Sequence, residues 1–110
     1  MTLPPDEVRL WHMRDAATTA MSFVVGRSRA DLDHDEMLRL PLTKLVETVG
    51  EAAKQVGDAT RARVPRVAWT DAARMHDRLV HHYFDIDLDV LWATVTEDLP
   101  ELLGALETPE

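Results

Sequence analysis

Apolar residues recur at helical spacing along most of the chain, and no segment alternates between apolar and polar residues with a period of two. The first such stretch predicts a helix whose first turn contains Pro4 and Pro5 and whose end lies near Val25, where Gly26 is a natural stop. Its apolar stripe comprises Leu10, Met13, Ala17, Ala20, Met21 and Val24. The chain therefore starts with one long amphipathic helix.

A second helix is predicted over residues 35–57, because apolar positions again repeat at helical spacing there. Pro41 lies early in this stretch and either kinks the helix or marks its true first turn. Gly50 lies in the middle, where glycine costs roughly 1 kcal/mol relative to alanine, so we expect another helix to approach closely at this point. The apolar stripe comprises Met37, Leu38, Leu42, Leu45, Val46, Val49, Ala52, Ala53 and Val56.

Two further helices are predicted in the second half of the chain. Thr70 is a good N-cap for a third helix that continues to about Tyr83, and Asp87 can cap a fourth. Pro100 is expected to bend this fourth helix. Its apolar stripe comprises Leu88, Leu91, Trp92, Val95, Leu99, Leu102, Leu103 and Leu106. We therefore predict an all-α fold, a four- or five-helix bundle that forms a single domain over residues 1–110.

Composition narrows the class of protein. A chain of 110 residues leaves much apolar surface exposed, which favours a homodimer that covers part of it. The sequence contains no cysteine, which excludes disulfides and thiolate metal sites. No apolar run approaches the roughly 20 residues that span a bilayer, and the first residues lack the pattern of a secretory signal. We therefore expect a cytoplasmic protein without membrane contact.

Charge is distributed unevenly along the chain. The formal net charge of −8 argues against binding of nucleic acid over the whole surface, because phosphate contacts need lysine and arginine. Residues 61–78, however, contain five arginines and two acids, whereas residues 85–101 contain six acids and no basic residue. A local basic site on an acidic protein therefore remains open.

The densest group of chemically active side chains lies in residues 74–84, which contain three histidines, two arginines, an aspartate and a tyrosine. If residues 70–83 form one helix, one side of it carries Arg74, Asp77, Arg78 and His81. His76 falls on the opposite, apolar side. Imidazole suits proton transfer and guanidinium suits phosphate binding, so this set contains the parts of a metal-free ribonuclease. Arginine and aspartate spaced along a helix are also typical of a solvated surface with weak ion pairs.

Metal chemistry is less well supported by the same region. His76, His81 and His82 lack the cysteine or carboxylate partners of a typical zinc site. Residues 85–89 resemble the start of a calcium loop, but Val90 replaces the glycine at its sixth position and Thr96 the glutamate at its twelfth. We therefore predict no metal and no cofactor.

Several segments along the chain match one known family. They are His12-Met13, Asp15-Ala16-Ala17, Gly50-Glu51-Ala52-Ala53-Lys54, Pro65-Arg66-Val67-Ala68-Trp69, Leu79-Val80-His81-His82-Tyr83-Phe84-Asp85-Ile86-Asp87, Leu91-Trp92 and Val95-Thr96-Glu97-Asp98-Leu99-Pro100-Glu101-Leu102. On these segments the chain resembles the HepT-like ribonucleases of the HEPN superfamily, the toxins of HepT/MntA toxin–antitoxin pairs. The resemblance covers nearly the whole chain, and residues 79–87 are its most specific part.

The resemblance implies a helical homodimer that cleaves RNA without a metal, in a cleft at the dimer interface. His81 would be the general base that activates a ribose 2′-OH, and an arginine would stabilise the phosphorane. Tyr83 would be the tyrosine that a minimal nucleotidyltransferase antitoxin of the MntA type modifies with AMP, which silences the toxin. Added phosphates beside the cleft would repel RNA. The expected function is thus that of an RNase toxin in a type VII-like toxin–antitoxin pair.

The chain departs from the family's motif at one position. Family members usually carry arginine followed by asparagine or aspartate five residues before the motif histidine, and His76-Asp77 stands there in this chain. Six residues separate Arg74 from His81, and Arg78 lies one turn before it, so either could substitute for the arginine. The alternative function is therefore a catalytically weak HEPN module that serves as an interaction or substrate-binding partner of a nucleotidyltransferase, since histidine is a weaker and pH-dependent phosphate partner.

Overall fold

Two long antiparallel helices form the centre of the fold. The computed structural model describes residues 4–82 and 85–107, with all of their side chains except those of His81 and His82. Helix α1 spans Pro5–Phe23 and helix α3 spans Glu36–Gln55, and the short α2, Asp31–His34, connects them. The start of α1 lies beside the end of α3, because the Asp6 carboxylate accepts a hydrogen bond of 3.0 Å from the backbone N–H of Gly57. Both helices lie close to their predicted boundaries.

The elements of the second half are shorter. They are α4 (Asp58–Arg63), α5 (Trp69–Ala73), α6 (Met75–Leu79), β1 (Val80–His82), β2 (Asp85–Ile86), α7 (Leu88–Ala93), a π-helical stretch (Thr94–Asp98) and α8 (Leu99–Glu107). Strands β1 and β2 pair antiparallel, with Val80 opposite Ile86. The predicted all-α bundle is confirmed, and this hairpin is the sole departure from helix and loop within the described ranges.

The third predicted helix is wrong in its extent. Its N-cap is Ala68 rather than Thr70, the helix breaks at Arg74, and it ends at Leu79 instead of near Tyr83. Helix α6 gives way to strand at Val80, because a β-branched residue favours extended backbone when a partner strand is present, and Ile86 supplies that partner. The Leu79 carbonyl also accepts a hydrogen bond of 2.7 Å from the Asp87 N–H, which holds the two ends of the hairpin together.

The structure decides between the roles that the sequence left open for Pro41 and agrees with those predicted for Gly50 and Gly26. Pro41 lies inside α3, five residues after its start, so it does not mark the first turn. A Cβ placed on Gly50 would lie 3.6 Å from the carbonyl oxygens of Ala72 and Ala73, which confirms the close approach expected there. Gly26 has a φ of 74° and follows the end of α1, where this left-handed conformation suits glycine.

The C-terminal helix contains an irregularity where a bend was expected. The Asp87 carboxylate accepts a hydrogen bond of 3.1 Å from the Val90 N–H, which confirms the predicted cap. The π-helical stretch ends two residues before Pro100, and its wider turn is closed by the Leu99 N–H, which donates to the Thr94 carbonyl. Because a proline ring clashes with the carbonyl four residues earlier in a regular α-helix, the wider turn accommodates it.

The core lies between α1, α3 and the C-terminal helix. Its fully enclosed side chains are Met13, Leu32, Leu42, Val46, Val49, Leu79, Leu91, Val95 and Leu99. Leu79 brings the end of α6 into this core, so the segment that carries the candidate chemistry is anchored beside α3. No helix of the described residues is both long and apolar enough to cross a membrane.

Candidate active site

Helix α6 directs its polar side chains to different sides. His76 and Asp77 face α3: Nε2 of His76 lies 3.7 Å from Oε2 of Glu47, and a carboxylate oxygen of Asp77 lies 3.9 Å from Nζ of Lys54. The His76 contact is an ion pair when the imidazole is protonated. The residue at the place of the family's arginine therefore sits against a carboxylate of the neighbouring helix.

Arg78 points away from this cluster. Its guanidinium donates a hydrogen bond of 2.6 Å to the carboxylate of Asp71, on α5. Arg74 occupies the break between α5 and α6, is exposed, and forms no ion pair with any described side chain. The prediction that Arg74, Asp77, Arg78 and His81 share one helix face is wrong, because the chain turns at residue 74 and becomes a strand at residue 80.

The two residues with the most specific predicted roles are only partly covered by the structure. The backbone of His81 is the middle of strand β1, directly after α6. Its side chain, like the whole of Tyr83, lies outside the described part of the molecule. The roles of His81 and Tyr83 thus stay predictions, and so do those of His76, Asp77, Arg74 and Arg78.

A broad groove runs between α1 and α3 next to His76. It has a volume of about 560 Å³. Its polar lining comprises Arg9, His12, Lys44, Glu47, Thr48, Glu51 and Gln55. Glu47 belongs both to this lining and to the contact with His76, so the groove and the predicted motif position share a boundary. We name this feature the α1–α3 groove.

Sequence reasoning missed the groove residues as candidates. His12 is exposed on α1 and packs edge-on against Trp11, with ring centroids 6.0 Å apart. It lies 32 residues before Lys44, and only the antiparallel packing of α1 on α3 brings the two into one groove. In the sequence His12 falls outside the apolar stripe of its helix and belongs to a segment that matches the family, but neither observation connects it to Lys44.

A smaller pocket lies on the Arg78 side of α6 and has a volume of about 110 Å³. Its charged rim comprises Arg66, Asp71, Arg78, Asp98 and Glu101. Its apolar lining comprises Ala68, Ala72, Met75, Leu102 and Ala105. Helices α5, α6 and α8 all contribute, and we name this feature the α5–α8 pocket.

Residues 61–78 were predicted as a possible basic site, but most of their arginines form contacts within the fold. The guanidinium of Arg61 donates to the carbonyls of Ala53 and Val56, at 3.0 Å each, and lies 5.5 Å from the ring centroid of Trp69. Arg63 pairs with Glu7 at 3.1 Å. Only Arg66 and Arg74 of this segment are without an ion pair or hydrogen bond among the described side chains. Within residues 61–78, the guanidiniums without such a described partner are therefore these two, and both are exposed.

The perturbed carboxylates lie at structural contacts rather than in the groove. The Thr60 hydroxyl and the Gly57 N–H hold the pKa of the Asp6 carboxyl below its ordinary value. The Ser28 N–H lowers the pKa of Asp31, and the Arg27 guanidinium lowers that of Asp35. Asp6 fastens the start of α1 to the segment after α3, whereas Asp31 and Asp35 fasten the connection between α1 and α3. Hydrogen bonds to the charged carboxylate cause each shift.

Comparisons with known proteins point to one family. The family model described as ribonuclease HepT-like matches residues 13–108. A protein named "Probable ribonuclease HepT" from Thermococcus cleftensis is 38% identical over 73 residues, which are 66% of each chain. A candidate RNase from Caldanaerobacter subterraneus is 30% identical over 93 residues, 84% of this chain and 83% of its own. Another candidate RNase, from Methanocaldococcus jannaschii, is 26% identical over 98 residues, 89% of this chain and 90% of its own.

No solved structure matches the chain. The family model nevertheless spans α1 from Met13 onward, the whole of α3 and the hairpin that holds His81. The second of these relatives covers more than four fifths of both chains. The protein belongs to the HepT-like ribonuclease family.

Proposed function

We propose that the protein is a metal-independent endoribonuclease that acts as a homodimer, with its cleft at the dimer interface. The observation that carries the proposal is the match of residues 13–108 to a ribonuclease family, because that span includes both His81 and Tyr83 of the most specific signature. The geometry adds support, since the hairpin that carries His81 directly follows the helix that presents His76 beside the α1–α3 groove.

Cleavage is proposed to use the ribose as its nucleophile. The His81 imidazole takes the proton of a 2′-OH, and the resulting oxygen forms a bond to the adjacent phosphorus. The bond from phosphorus to the 5′-oxygen of the next nucleotide breaks, and that oxygen takes up a proton. The products are a 2′,3′-cyclic phosphate and a 5′-OH end. The reaction consumes no metal-bound water.

The phosphorane that forms in this reaction needs a positive partner. Arg78 is engaged by Asp71 at 2.6 Å and faces the α5–α8 pocket. Arg74 is exposed and unpaired among the described side chains, which makes it the better candidate of the two. His76 is a third cation when protonated, although Glu47 competes for it at 3.7 Å.

A homodimer is supported by apolar side chains that the single chain leaves in solvent. The exposed large apolar residues are Trp11, Phe23, Val25, Met37 and Leu40. Met37 is 84% exposed, although it lies on the central helix of the bundle. Met37 and Lys44 are seven residues apart on α3, so they share one side of it, and Met37 therefore continues the face that holds the α1–α3 groove. A second copy on this face would cover Met37.

Cleavage can be tested with single-stranded RNA in the presence of EDTA. The wild-type protein is expected to release products with 2′,3′-cyclic phosphate ends, and His81→Ala is expected to reduce the rate by about 100-fold or more, since general base catalysis contributes about 10²–10⁴. The matched control is His34→Ala, which removes an exposed histidine from α2. Cleavage that His81→Ala leaves intact would disprove the catalytic assignment, and loss of activity in EDTA would disprove metal independence.

Regulation is proposed to act through Tyr83. A minimal nucleotidyltransferase antitoxin would add AMP to its hydroxyl, and the added phosphate would exclude RNA from the nearby cleft by charge and bulk. We place this exchange in the cytoplasm. Mass spectrometry after co-expression with such an enzyme is expected to find AMP on Tyr83, while Tyr83→Phe stays unmodified and toxic. An unmodified wild-type peptide from an inactive protein would count against this regulation.

The second candidate function, a catalytically weak module that binds a nucleotidyltransferase, is favoured by one contact. His76 stands where the family has arginine, and it faces Glu47 rather than solvent alone. If this candidate is correct, His76→Arg raises RNA cleavage by about tenfold or more, because arginine keeps its charge and binds phosphate through two donors. If Arg74 already supplies the charge, His76→Arg leaves the rate of the wild type unchanged.

A further inference from the structure

The α5–α8 pocket has a chemistry that the proposed cleavage does not use. Its base is apolar and well ordered by the core: Ala72 is 1%, Met75 5% and Leu102 6% exposed. Its charged groups surround this base and reach solvent. A ligand that fits must therefore have an apolar face and a polar edge.

The charged rim is divided into a fixed part and a free part. Arg78 and Asp71 are held together at 2.6 Å, so the planar guanidinium of Arg78 is fixed in orientation at one wall. Arg66, Asp98 and Glu101 form no salt bridge with any side chain that the structure describes. Two unpaired carboxylates from the C-terminal helix thus face the pocket together with one unpaired guanidinium.

Size and charge select the kind of ligand. At about 110 Å³ the pocket is well below the roughly 300–1,000 Å³ of sites that enclose a drug-sized molecule, so it takes a single small ring system. Asp98 and Glu101 repel a phosphate, which therefore stays outside. They accept hydrogen bonds, so the polar edge of the ligand must donate them.

We infer that the α5–α8 pocket binds a guanine base of single-stranded RNA. This inference rests on the proposed function, because it names a subsite for the same substrate. Guanine stacks on the fixed guanidinium of Arg78 and on the apolar base of the pocket. Its Watson–Crick edge presents two adjacent donor groups, N1–H and the N2 amino group, which match a carboxylate of Asp98 or Glu101. Uracil presents one donor between two carbonyls, which the carboxylates repel.

The position of the pocket suits a base next to the scissile bond. Arg78 precedes His81 by three residues, so their Cα atoms are at most roughly 11 Å apart even in a fully extended chain. A strand of RNA whose phosphate lies at His81 can therefore place a neighbouring base against Arg78. Arg66, exposed at the rim, is then available to the phosphate of that nucleotide.

The test measures binding and leaves cleavage aside. Fluorescein-labelled oligouridines with one central guanosine, adenosine, cytidine or uridine are titrated with the His81→Ala protein, and fluorescence anisotropy gives Kd. The guanosine oligonucleotide is expected to bind about tenfold or more tighter than the all-uridine one, since a good bidentate contact discriminates by that order. Glu101→Gln combined with Asp98→Asn is expected to bring this ratio close to one.

The control separates a pocket effect from a general charge effect. Glu107→Gln removes an exposed carboxylate from the end of the same helix, outside the pocket, and is expected to keep the guanine preference. Ala105→Leu fills the pocket without changing charge and is expected to abolish the preference, while circular dichroism confirms folding. Equal affinity for all four bases, or a preference that survives the double substitution, overturns the inference. Guanine-dependent binding by a protein that cleaves nothing would instead overturn the proposed catalysis alone.

Discussion

The α1–α3 pair and the segment from α5 to β2 are held together in different ways. Helices α1 and α3 have 19 and 20 residues, and each presents a continuous buried stripe to the other. The α5–β2 segment consists of two five-residue helices and two strands of three and two residues. Such short elements are unstable alone, so packing onto α3 must fix their shape. The candidate chemistry of this protein therefore lies on the part of the chain whose conformation depends most on its neighbours.

The largest expected effect tests this dependence in the core. Leu79 is fully buried at the end of α6, and Leu42 is fully buried in the middle of α3. Leu79→Ala and Leu42→Ala are each expected to lower the free energy of unfolding by about 2–5 kcal/mol, measured by urea denaturation. The two variants should differ in which backbone amides exchange hydrogen faster than in the wild type. We expect Leu79→Ala to accelerate exchange locally in residues 75–86, since Met75 is the one other buried side chain among those described in that segment.

Equal changes of hydrogen exchange in the two regions would contradict the difference in stability that we infer between them. If Leu79→Ala changed hydrogen exchange uniformly over α1, α3 and the α5–β2 segment, the two regions would unfold as one unit. The short elements would then share the full stability of the bundle. The candidate active site would in that case be as rigid as its scaffold.

The next effect concerns the connection between the two regions. Arg61 links the last carbonyls of α3 to the Trp69 ring at the start of α5. Arg61→Ala is expected to lower the free energy of unfolding by about 1–2 kcal/mol, because two hydrogen bonds from a charged donor and a cation–π contact are lost. Arg63→Ala breaks an exposed pair with Glu7 and is expected to cost about 0.5 kcal/mol in the same urea titration. Equal losses would show that Arg61 is an ordinary surface residue.

The sequence pattern predicted the α1–α3 pair more accurately than the α5–β2 segment, and the difference in element length between the two regions explains this. The buried stripe of α1, with Leu10, Met13 and Ala17, repeats over five turns. A single residue that departs from the helical spacing therefore does not change the prediction of a helix. Between residues 69 and 79 the apolar residues also have helical spacing, so the pattern continued smoothly into Val80. The break at Arg74 and the strand at Val80 arise from contacts with α3 and β2. The spacing of apolar residues along one segment does not show which other element that segment will contact.

The candidate site was predictable in its residues but not in its arrangement. The sequence identified His76 and Arg78 as chemically relevant and placed them on opposite sides of the helix, but it grouped Asp77 with Arg78. In the structure Asp77 instead faces α3 together with His76. The α1–α3 groove could not be predicted, since His12 and Lys44 meet only when the helices pair. The α5–α8 pocket joins Arg66 to Glu101 across 35 residues, and no local signal connects them.

A smaller effect on stability is expected when the pH is lowered, through a carboxylate at the end of the α1–α3 pair. The pKa of Asp6 is below its ordinary value of 3.8 in the folded chain, mainly through the Thr60 hydroxyl. This carboxylate therefore stabilises the fold above that value, and the contribution is lost as the pH falls through the lowered pKa. Asp6→Asn is expected to be less stable than wild type at pH 7, with a difference that shrinks below about pH 4. Asp15→Asn, an exposed substitution on the same helix, should show no such dependence in thermal unfolding.

The smallest effect measures how tightly the two regions touch. Gly50 on α3 faces the junction of α5 and α6, and a Cβ there would lie 3.6 Å from three backbone atoms, a distance of ordinary contact. At the same position on Gly104 in α8, no described atom outside the backbone of its own helix lies within 4 Å. Alanine at either site should raise the free energy of unfolding by about 0.5–1 kcal/mol, because glycine is a poor helix former. Equal gains in urea titrations would show that the junction beside His76 has room for a methyl group. A loss at Gly50 alone would mean that the junction presses on α3, and RNA cleavage by Gly50→Ala would then fall together with its stability.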